Sequence, residues 1–335
     1  WNYFSIYLPF PALKHEKMFT FAGKLHINNF SCIMANVIKI KKGLDINLKG
    51  KASDVLLNGG KSESYAIVPD YYNGILPKVV AKVGEKVKAG SVLMIDKNRP
   101  EIKFVSPVSG EVTAVNRGEK RKVISIVVKP DAQIEYEEFG KKNVASLQGA
   151  EVKEVLLNAG MWPFIKQRPY DIVAAPLDTP RDIFVSAFYS APLAPNFDFI
   201  VKGQEADFQT GLNALAKLTN GKVYVGVRSG SVVSGMKGVE IVEVEGPHPA
   251  ANVGVQINHI KPVNKGEVVW TVNPADVIVI GRLFNKGVAD FSRMVAITGS
   301  ETTERGYVKT ISGCTIKSLV NGKVLGQEHI RIISG

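Results

Sequence analysis

Cysteine is scarce in this chain of 335 residues, which contains only Cys32 and Cys314. The two residues lie far apart in the sequence. They therefore exclude a cysteine-ligated iron–sulfur cluster and a zinc site built on a Cys-x-x-Cys motif within this chain. Such low cysteine usage favours a reducing compartment.

Long apolar runs are also missing, because no stretch approaches the roughly 20 residues that a membrane span requires. Residues 1–33 are rich in Phe and Tyr but show neither a helical nor a strand period. Charged residues such as Lys14, Glu16 and Lys24 interrupt their apolar stretches, so they do not resemble a signal peptide. We interpret residues 1–33 as an upstream extension with no assigned function and expect the folded part to begin at Met34.

The positive charge is concentrated in one part of the chain. Residues 34–130 contain 18 Lys and Arg against 9 Asp and Glu, whereas residues 131–335 contain 21 of each. A solvated basic surface explains this surplus, and so does a surface that faces anionic lipid or an acidic partner subunit. Nucleic acid is disfavoured, since the lysines are not interleaved with aromatic residues.

Residues 34–130 show the pattern of a small β domain. Short alternating runs are separated by Gly84, Gly90 and Gly110, which predicts a barrel or sandwich of short strands. The runs Gly84–Gly90 and Ser106–Val112 resemble the two halves of biotinyl and lipoyl carrier domains. In such carriers the turn between the halves presents a modified lysine. Here that turn is Asp96–Pro100, and the charged, proline-bounded setting of Lys97 does not match a modification site.

Residues 131–290 follow the pattern of an α/β domain. Apolar spacing predicts helices at 151–158 and 205–218, while β-branched runs predict strands at 183–187, 223–227 and 239–244. A strand, a helix and a strand within about 45 residues predict a right-handed crossover in a parallel sheet. Asn273 and Pro274 resemble the N-cap and first residue of a helix, so we predict a helix there despite the β-branched run at 277–280. Residues 291–335 are predicted to form a small β-rich module.

Several segments in this order resemble the A subunit of the sodium-translocating NADH:quinone oxidoreductases, a family of bacterial membrane complexes. The matching stretches are Gly43–Ile46, Pro77–Gly90, Phe104–Gly110, Asn116–Arg121, Ile183–Ala187, Ala191–Ala194, Gly246–Pro249, Asn252–Gly254, Asp276–Gly281 and Arg293–Gly299.

The resemblance implies a multi-domain α+β protein with three modules. They are a lipoyl/biotinyl-like barrel-sandwich domain at 34–130, a Rossmann-like domain at 131–290 and a β-grasp, soluble-ligand-binding module at 291–335. The layout is similar to the flavin-binding subunit of respiratory complex I. Because chains of the family continue further, the last module is expected to be truncated at its C-terminal side.

The loop that holds the flavin phosphate in those relatives corresponds here to Leu157–Phe164. A single glycine, Gly160, followed by Met-Trp-Pro-Phe does not provide the donor-rich backbone that a phosphate needs. We therefore expect no flavin, NADH or metal site in this chain. The glycine-rich run Gly226–Gly235 matches neither the P-loop nor the dinucleotide fingerprint, and we interpret it as a loop at the sheet edge.

The remaining candidates are contact residues. Aromatic side chains including Trp162, Phe164 and Tyr189 would suit the wall of a quinone pocket, but their spacings favour core packing or an interface with a membrane subunit. His248 and His259 lack further metal ligands at a suitable spacing, so we regard them as structural or as polar contacts to a ligand or partner.

The resemblance implies a peripheral subunit on the cytoplasmic face of the bacterial inner membrane. Its partners would be the other subunits of the complex, especially the membrane-embedded B subunit. The complex would couple NADH oxidation and quinone reduction to Na⁺ export, with its flavins and iron–sulfur centres in other subunits. Two alternatives remain: a free flavin- or nucleotide-binding oxidoreductase and a carrier-domain protein modified at Lys97.

Overall fold

The computed structural model describes residues 36–59, 61–326 and 330–334. The interpretation of residues 1–33 therefore lies outside the described residues. The first nine strands are β1 Asn36–Lys39, β2 Leu56–Leu57, β3 Tyr65–Ile67, β4 Pro77–Val79, β5 Lys86–Val87, β6 Val92–Asp96, β7 Lys103–Val105, β8 Gly110–Arg117 and β9 Val123–Pro130. The others are β10 Ile165–Arg168, β11 Ile172–Val173, β12 Ile183–Ser186, β13 Val223–Val227, β14 Glu240–Glu245, β15 Val269–Val272, β16 Ser292–Ile297 and β17 Gly306–Ile311. The helices are α1 Gly149–Asn158, α2 Phe197–Val201, α3 Glu205–Ala216, α4 Val253–Ile260, α5 Pro274–Lys286 and α6 Ile316–Val320.

Strands β3 to β9 form two small antiparallel sheets, in the orders β3-β9-β8-β5 and β4-β6-β7. Apolar residues of these strands form the core of this region, where Leu93, Phe104, Val112 and Ile126 are fully or almost fully buried. The glycine-punctuated β pattern of this region is thus confirmed as a set of short paired strands.

The turn that holds a carrier's lysine is fixed in place here by Asp96. Its buried carboxylate accepts hydrogen bonds from the backbone N–H groups of Leu76 and Asn98 and pairs with Arg99 at 2.8 Å. Arg99 in turn donates to the backbone oxygens of Gly74 and Val173, at 3.0 and 3.1 Å. Because Val173 belongs to β11 of the large sheet, the turn is tied to the α/β domain.

The large sheet has seven strands in the order β1-β14-β13-β12-β15-β10-β11. The five strands from β1 to β15 run parallel, whereas β10 and β11 are antiparallel to their neighbours. The chain adds β13 and β14 on one side of β12 and then returns to place β15 on the other side. The order of the strands therefore reverses between β12 and β15, as in doubly wound folds.

The two faces of this sheet are covered by different helices. Val185 joins the main core with residues of α3 and α5, whereas Phe184 packs against Ile257 of α4. The predicted parallel crossover is confirmed, and so is the helix beginning at Pro274. Asn273 accepts a hydrogen bond from the N–H of Ala275 at that N-terminus, and Gly287 ends the helix in a left-handed conformation.

The start and the end of the described chain meet in ways that the sequence did not suggest. Strand β1 joins the edge of the large sheet beside β14, and β2 pairs in parallel with β17 in a sheet of order β16-β17-β2. Residues 36–57, which the sequence placed in the β domain at 34–130, therefore contribute strands to both later sheets. The predicted β-rich end also contains the short helix α6.

Helices α3 and α5 touch each other backbone to backbone. A Cβ added to Gly281 would lie 1.7 Å from the backbone oxygen of Asp207, and one added to Gly211 would lie 2.1 Å from that of Val277. Both glycines are needed because any side chain would force the helices apart.

We predict that Gly281→Ala lowers the free energy of unfolding by about 1–3 kcal/mol, the usual cost of overpacking a close helix contact. Gly254→Ala in α4 is the matched control, since a Cβ there meets no atom within 4 Å. Chemical denaturation measures both variants. Equal stability of the two would contradict the packing that we describe.

Arg282 links the helix pair to the C-terminal sheet. Its buried guanidinium donates to the backbone oxygen of Ser292 at 2.7 Å and to Gln204, and it lies 3.6 Å from the carboxylate of Asp290. Burial alone would raise the pKa of Asp290. The hydrogen bonds from Lys286 and Ser292, together with the charge of Arg282, outweigh the effect of burial and lower the pKa of Asp290 to about 2.

The lowered pKa predicts a pH-dependent stability. The charged Asp290 stabilises the fold above its unfolded pKa of about 4, and this contribution disappears as the pH falls towards 2. We expect Asp290→Asn to cost roughly 2 kcal/mol at pH 6, a difference that shrinks below about pH 4. Urea unfolding at several pH values tests this, and a difference that stayed constant down to pH 3 would refute it.

Candidate functional site

The strand reversal opens a cleft at the carboxyl ends of β12 and β15. Its volume is about 580 Å³, within the range of small-molecule sites. The N-termini of α4 and α5 face it, because both helices begin at this edge of the sheet. We refer to it as the switch-point cleft. Its lining residues are Phe164, Lys166, Arg168, Asp171, Ser186, Phe188, Tyr189, Ala251–Val255, Thr271–Pro274 and Asp276.

One wall of the switch-point cleft is aromatic and consists of Phe164, Phe188 and Tyr189. Arg228 lies over the Phe188 ring at 4.6 Å, and Arg293 lies over the Phe164 ring at 5.4 Å. Such cation–π contacts hold the rings in place. The hydroxyl of Tyr189 donates to Asn273 at 3.3 Å. Burial, with a further contribution from Asp276, raises the pKa of Tyr189 to about 12, so the phenol stays protonated.

The opposite wall is polar and comes from β10. Lys166 lies opposite Thr271 of β15 in the antiparallel register, and Arg168 lies opposite Val269. Opposed residues share a sheet face, and Val269 packs on the α4 side. The two cations therefore project on the face that α4 covers. Both lie near Asp171, at 3.8 and 3.4 Å.

The five contact residues proposed from the sequence do not form one site. Phe164 and Tyr189 line the switch-point cleft. Trp162 is completely buried, donates to the backbone oxygen of Ala174 at 2.8 Å and packs edge-on against Trp270, so it is a core residue.

The two histidines lie outside this cleft. The ring of His248 is hydrogen-bonded to Ser190 at 3.0 Å, and its backbone N–H donates to Asp45 at 2.8 Å, which holds the segment after β1 against the loop after β14. His259 is exposed near the end of α4 and contacts the backbone oxygen of Val255. Within the described residues no cluster of three or more His, Cys, Asp or Glu side chains is arranged to hold a metal.

The segment Leu157–Phe164 does not fit a flavin phosphate. A Cβ added to Gly160 would lie 2.5 Å from the side chain of Val105 in β7, so its open side is filled by the neighbouring domain. Met161 and Trp162 are fully buried. The segment thus serves as a packing surface between the α/β domain and the small β sheets.

The glycine-rich run 226–235 contains the end of β13 and the turn that follows it, and its side chains bind neighbouring loops. Arg228 donates to the backbone oxygens of Val244 and Gly246, at 3.1 and 2.8 Å. The Ser231 hydroxyl donates to Asp198 at 2.6 Å. Through these contacts the run binds α2 and the end of β14 with the loop after it.

Sequence reasoning missed the polar residues of the switch-point cleft. Lys166 and Thr271 come from distant segments that the register of β10 against β15 brings together, and Gly254 reaches the cleft from α4. One local signal was available: Asn252 precedes a helix that follows the predicted strand at 239–244, and such helices begin at the ligand-binding edge of a parallel sheet.

The part of the chain that the structure describes has no helix long and apolar enough to cross a membrane.

Family models match the chain in three consecutive parts. Residues 38–131 match the "NqrA N-terminal barrel-sandwich hybrid domain", residues 147–289 the "NqrA second alpha/beta domain" and residues 294–335 the "NQRA C-terminal domain". The expected order of a barrel-sandwich domain, an α/β domain and a C-terminal domain is thereby confirmed.

Curated relatives agree along most of the chain. It is 38% identical over 304 residues to the A subunit of the Na(+)-translocating NADH-quinone reductase from Hahella chejuensis. It is 36% identical over 303 residues to the protein of that name from Photorhabdus laumondii, and 35% identical to that from Neisseria meningitidis serogroup A. Each match covers 89% of this chain and 68% of the relative. The chain therefore belongs to the family formed by the A subunits of the Na⁺-translocating NADH-quinone reductases.

Proposed function

We propose that this chain is a docking subunit of a sodium-pumping NADH:quinone oxidoreductase. The observation that carries the proposal is the packing at the two positions where related folds hold a cofactor. The carrier-like turn is tied down by Arg99, and the open side of Gly160 is filled by Val105. The turn Asp96–Pro100 and the segment around Gly160 are thus fixed parts of the protein surface or core, and a docking protein requires such fixed surfaces.

In this proposal the chain binds neither flavin nor NADH. Flavins and iron–sulfur centres in other subunits transfer electrons from NADH to quinone, and the complex couples this reaction to Na⁺ export. The strand reversal between β12 and β15 supports a Rossmann-like second domain, which we propose is similar to the flavin subunit of complex I. We further propose a β-grasp fold for the C-terminal module.

We place the docking surface on the first domain, which holds the surplus of positive charge. The turn between β8 and β9 presents Arg117, Lys120 and Arg121 as exposed side chains. Ile124 beside them is 47% exposed. A basic turn next to an exposed aliphatic side chain suits an acidic surface on a membrane-embedded partner. We propose that this partner is the B subunit of the complex and that the contact forms at the cytoplasmic face of the bacterial inner membrane.

Charge reversal tests this docking surface. We expect Lys120→Glu/Arg121→Glu to reduce recovery of the membrane subunits with the tagged chain from solubilised host membranes by about tenfold, since like charges across an interface cost several kcal/mol. Lys202→Glu/Lys237→Glu makes the same charge change at exposed positions of the α/β domain and should leave recovery unchanged. Failure of the unaltered chain to recover any membrane subunit would refute the docking role, and equal recovery with both variants would refute this surface.

Direct contact with the quinone is the second candidate function. The observation that favours it is that Phe164 and Tyr189 share the aromatic wall of the switch-point cleft. A quinone ring needs such walls and one or two hydrogen-bond donors, and the cleft also contains Thr271 and Lys166.

A photoreactive quinone in the intact complex tests this contact. We expect labelled peptides that contain Phe164 or Tyr189, and labelling that falls when Tyr189→Ala removes part of the wall. Trp162→Phe is the control, because Trp162 lies in the core away from the cleft. Labels found on membrane subunits alone would remove the quinone role from this chain.

A further inference from the structure

Helix α4 begins at the switch-point cleft without a side-chain cap. Asn252 occupies the N-cap position, but its side chain makes no capping hydrogen bond. Among the described residues the N–H groups of Val253 and Gly254 have no acceptor, and both residues line the cleft. Free amides at a helix N-terminus carry partial positive charge and bind anions.

A second donor faces the same space from the floor of the cleft. Thr271 is 5% exposed and lines the cleft, yet its hydroxyl has no hydrogen-bond partner in the described part of the chain. This hydroxyl is therefore available to a molecule in the cleft. Its position in β15 opposite Lys166 places this hydroxyl on the sheet face that α4 covers.

The charges around the cleft complete the set of donors. Lys166 and Arg168 contribute two cations, and the buried Nε atom of Arg168 lies 3.4 Å from Asp171 Oδ1 without forming a hydrogen bond to it. Two carboxylates also line the cleft. Asp171 is shared between the two cations and Asp276 pairs with Arg293, so each is already neutralised.

We propose that the switch-point cleft binds a phosphorylated small molecule whose phosphate lies on the α4 amides. Two backbone N–H groups, the Thr271 hydroxyl and the Lys166 ammonium are four donors that line one cleft, which suits the several oxygens of a phosphate. The aromatic wall of Phe164 and Phe188 then packs against the remainder of the ligand. A neutral quinone ring would leave most of these donors unused.

This inference goes beyond the docking role, which it neither requires nor supports. It does compete with the quinone contact, because one cleft of about 580 Å³ would hold one of the two ligands. The same binding experiment can therefore decide between them.

The test uses the full chain with phenyl phosphate as the probe and phenol as its neutral counterpart, both measured by calorimetric titration. Gly254→Asp places a carboxylate beside the free amides, in open space where a Cβ meets no atom. We expect phenyl phosphate to bind at least about tenfold more weakly to this variant. Gly254→Asn has nearly the same shape without the charge and should bind within about threefold of the unaltered chain.

A second variant keeps the proposal testable if the first perturbs the helix. Thr271→Val has the same shape and removes only the unpartnered hydroxyl, so we expect no loss of thermal stability and about fivefold weaker binding of phenyl phosphate. The proposal is overturned if phenyl phosphate does not bind to the unaltered chain, or if phenol binds as tightly. Equal binding to the Gly254→Asp and Gly254→Asn variants would overturn it too, as would binding of a short-chain ubiquinone alone. If the docking proposal were wrong, the recovery of membrane subunits with the tagged chain would show it, and the titration with phenyl phosphate would be unaffected.

Discussion

The reversal of strand order between β12 and β15 is the constraint on which the rest of the molecule depends. Parallel strands require a crossover on each side of β12, and their helices all begin at the same edge of the sheet. The chain moves outward from β12 in one direction to β13 and β14 and in the other direction to β15. The starts of α4 and α5 border the switch-point cleft between these two directions. The aromatic wall and the polar wall follow from the registers of β12 and β10 against β15.

Close backbone packing makes this arrangement rigid. Gly281 and Gly211 allow α3 and α5 to touch, and Arg282 ties that pair to the beginning of the C-terminal sheet. On the other side, Arg99 and Val105 join the small β sheets to the α/β domain. These contacts hold the turn Asp96–Pro100 and the segment Leu157–Phe164 in place.

Local patterns in the sequence predicted most of the elements, because they depend on neighbouring residues. Asn273 and Pro274 marked the start of α5 correctly, although the β-branched run after them resembled a strand. The pairings of β1 with β14 and of β2 with β17 could not be predicted, since they join segments about 200 or more residues apart. The same limit applies to the site: Phe164 and Tyr189 were proposed from their chemistry, but Lys166 and Thr271 meet only through strand register. Trp162 was proposed with them as a contact residue although its spacing favoured core packing, and the structure places it in the core.

We propose that the strand-reversal edge of the large sheet is a ligand-binding site. A crystal structure of the full chain grown with phenyl phosphate tests this assignment most directly. We predict electron density for the phosphate at the amides of Val253 and Gly254, within hydrogen-bond reach of Thr271 and Lys166. Density at residues 157–164 or 226–235, with none at the start of α4, would contradict it.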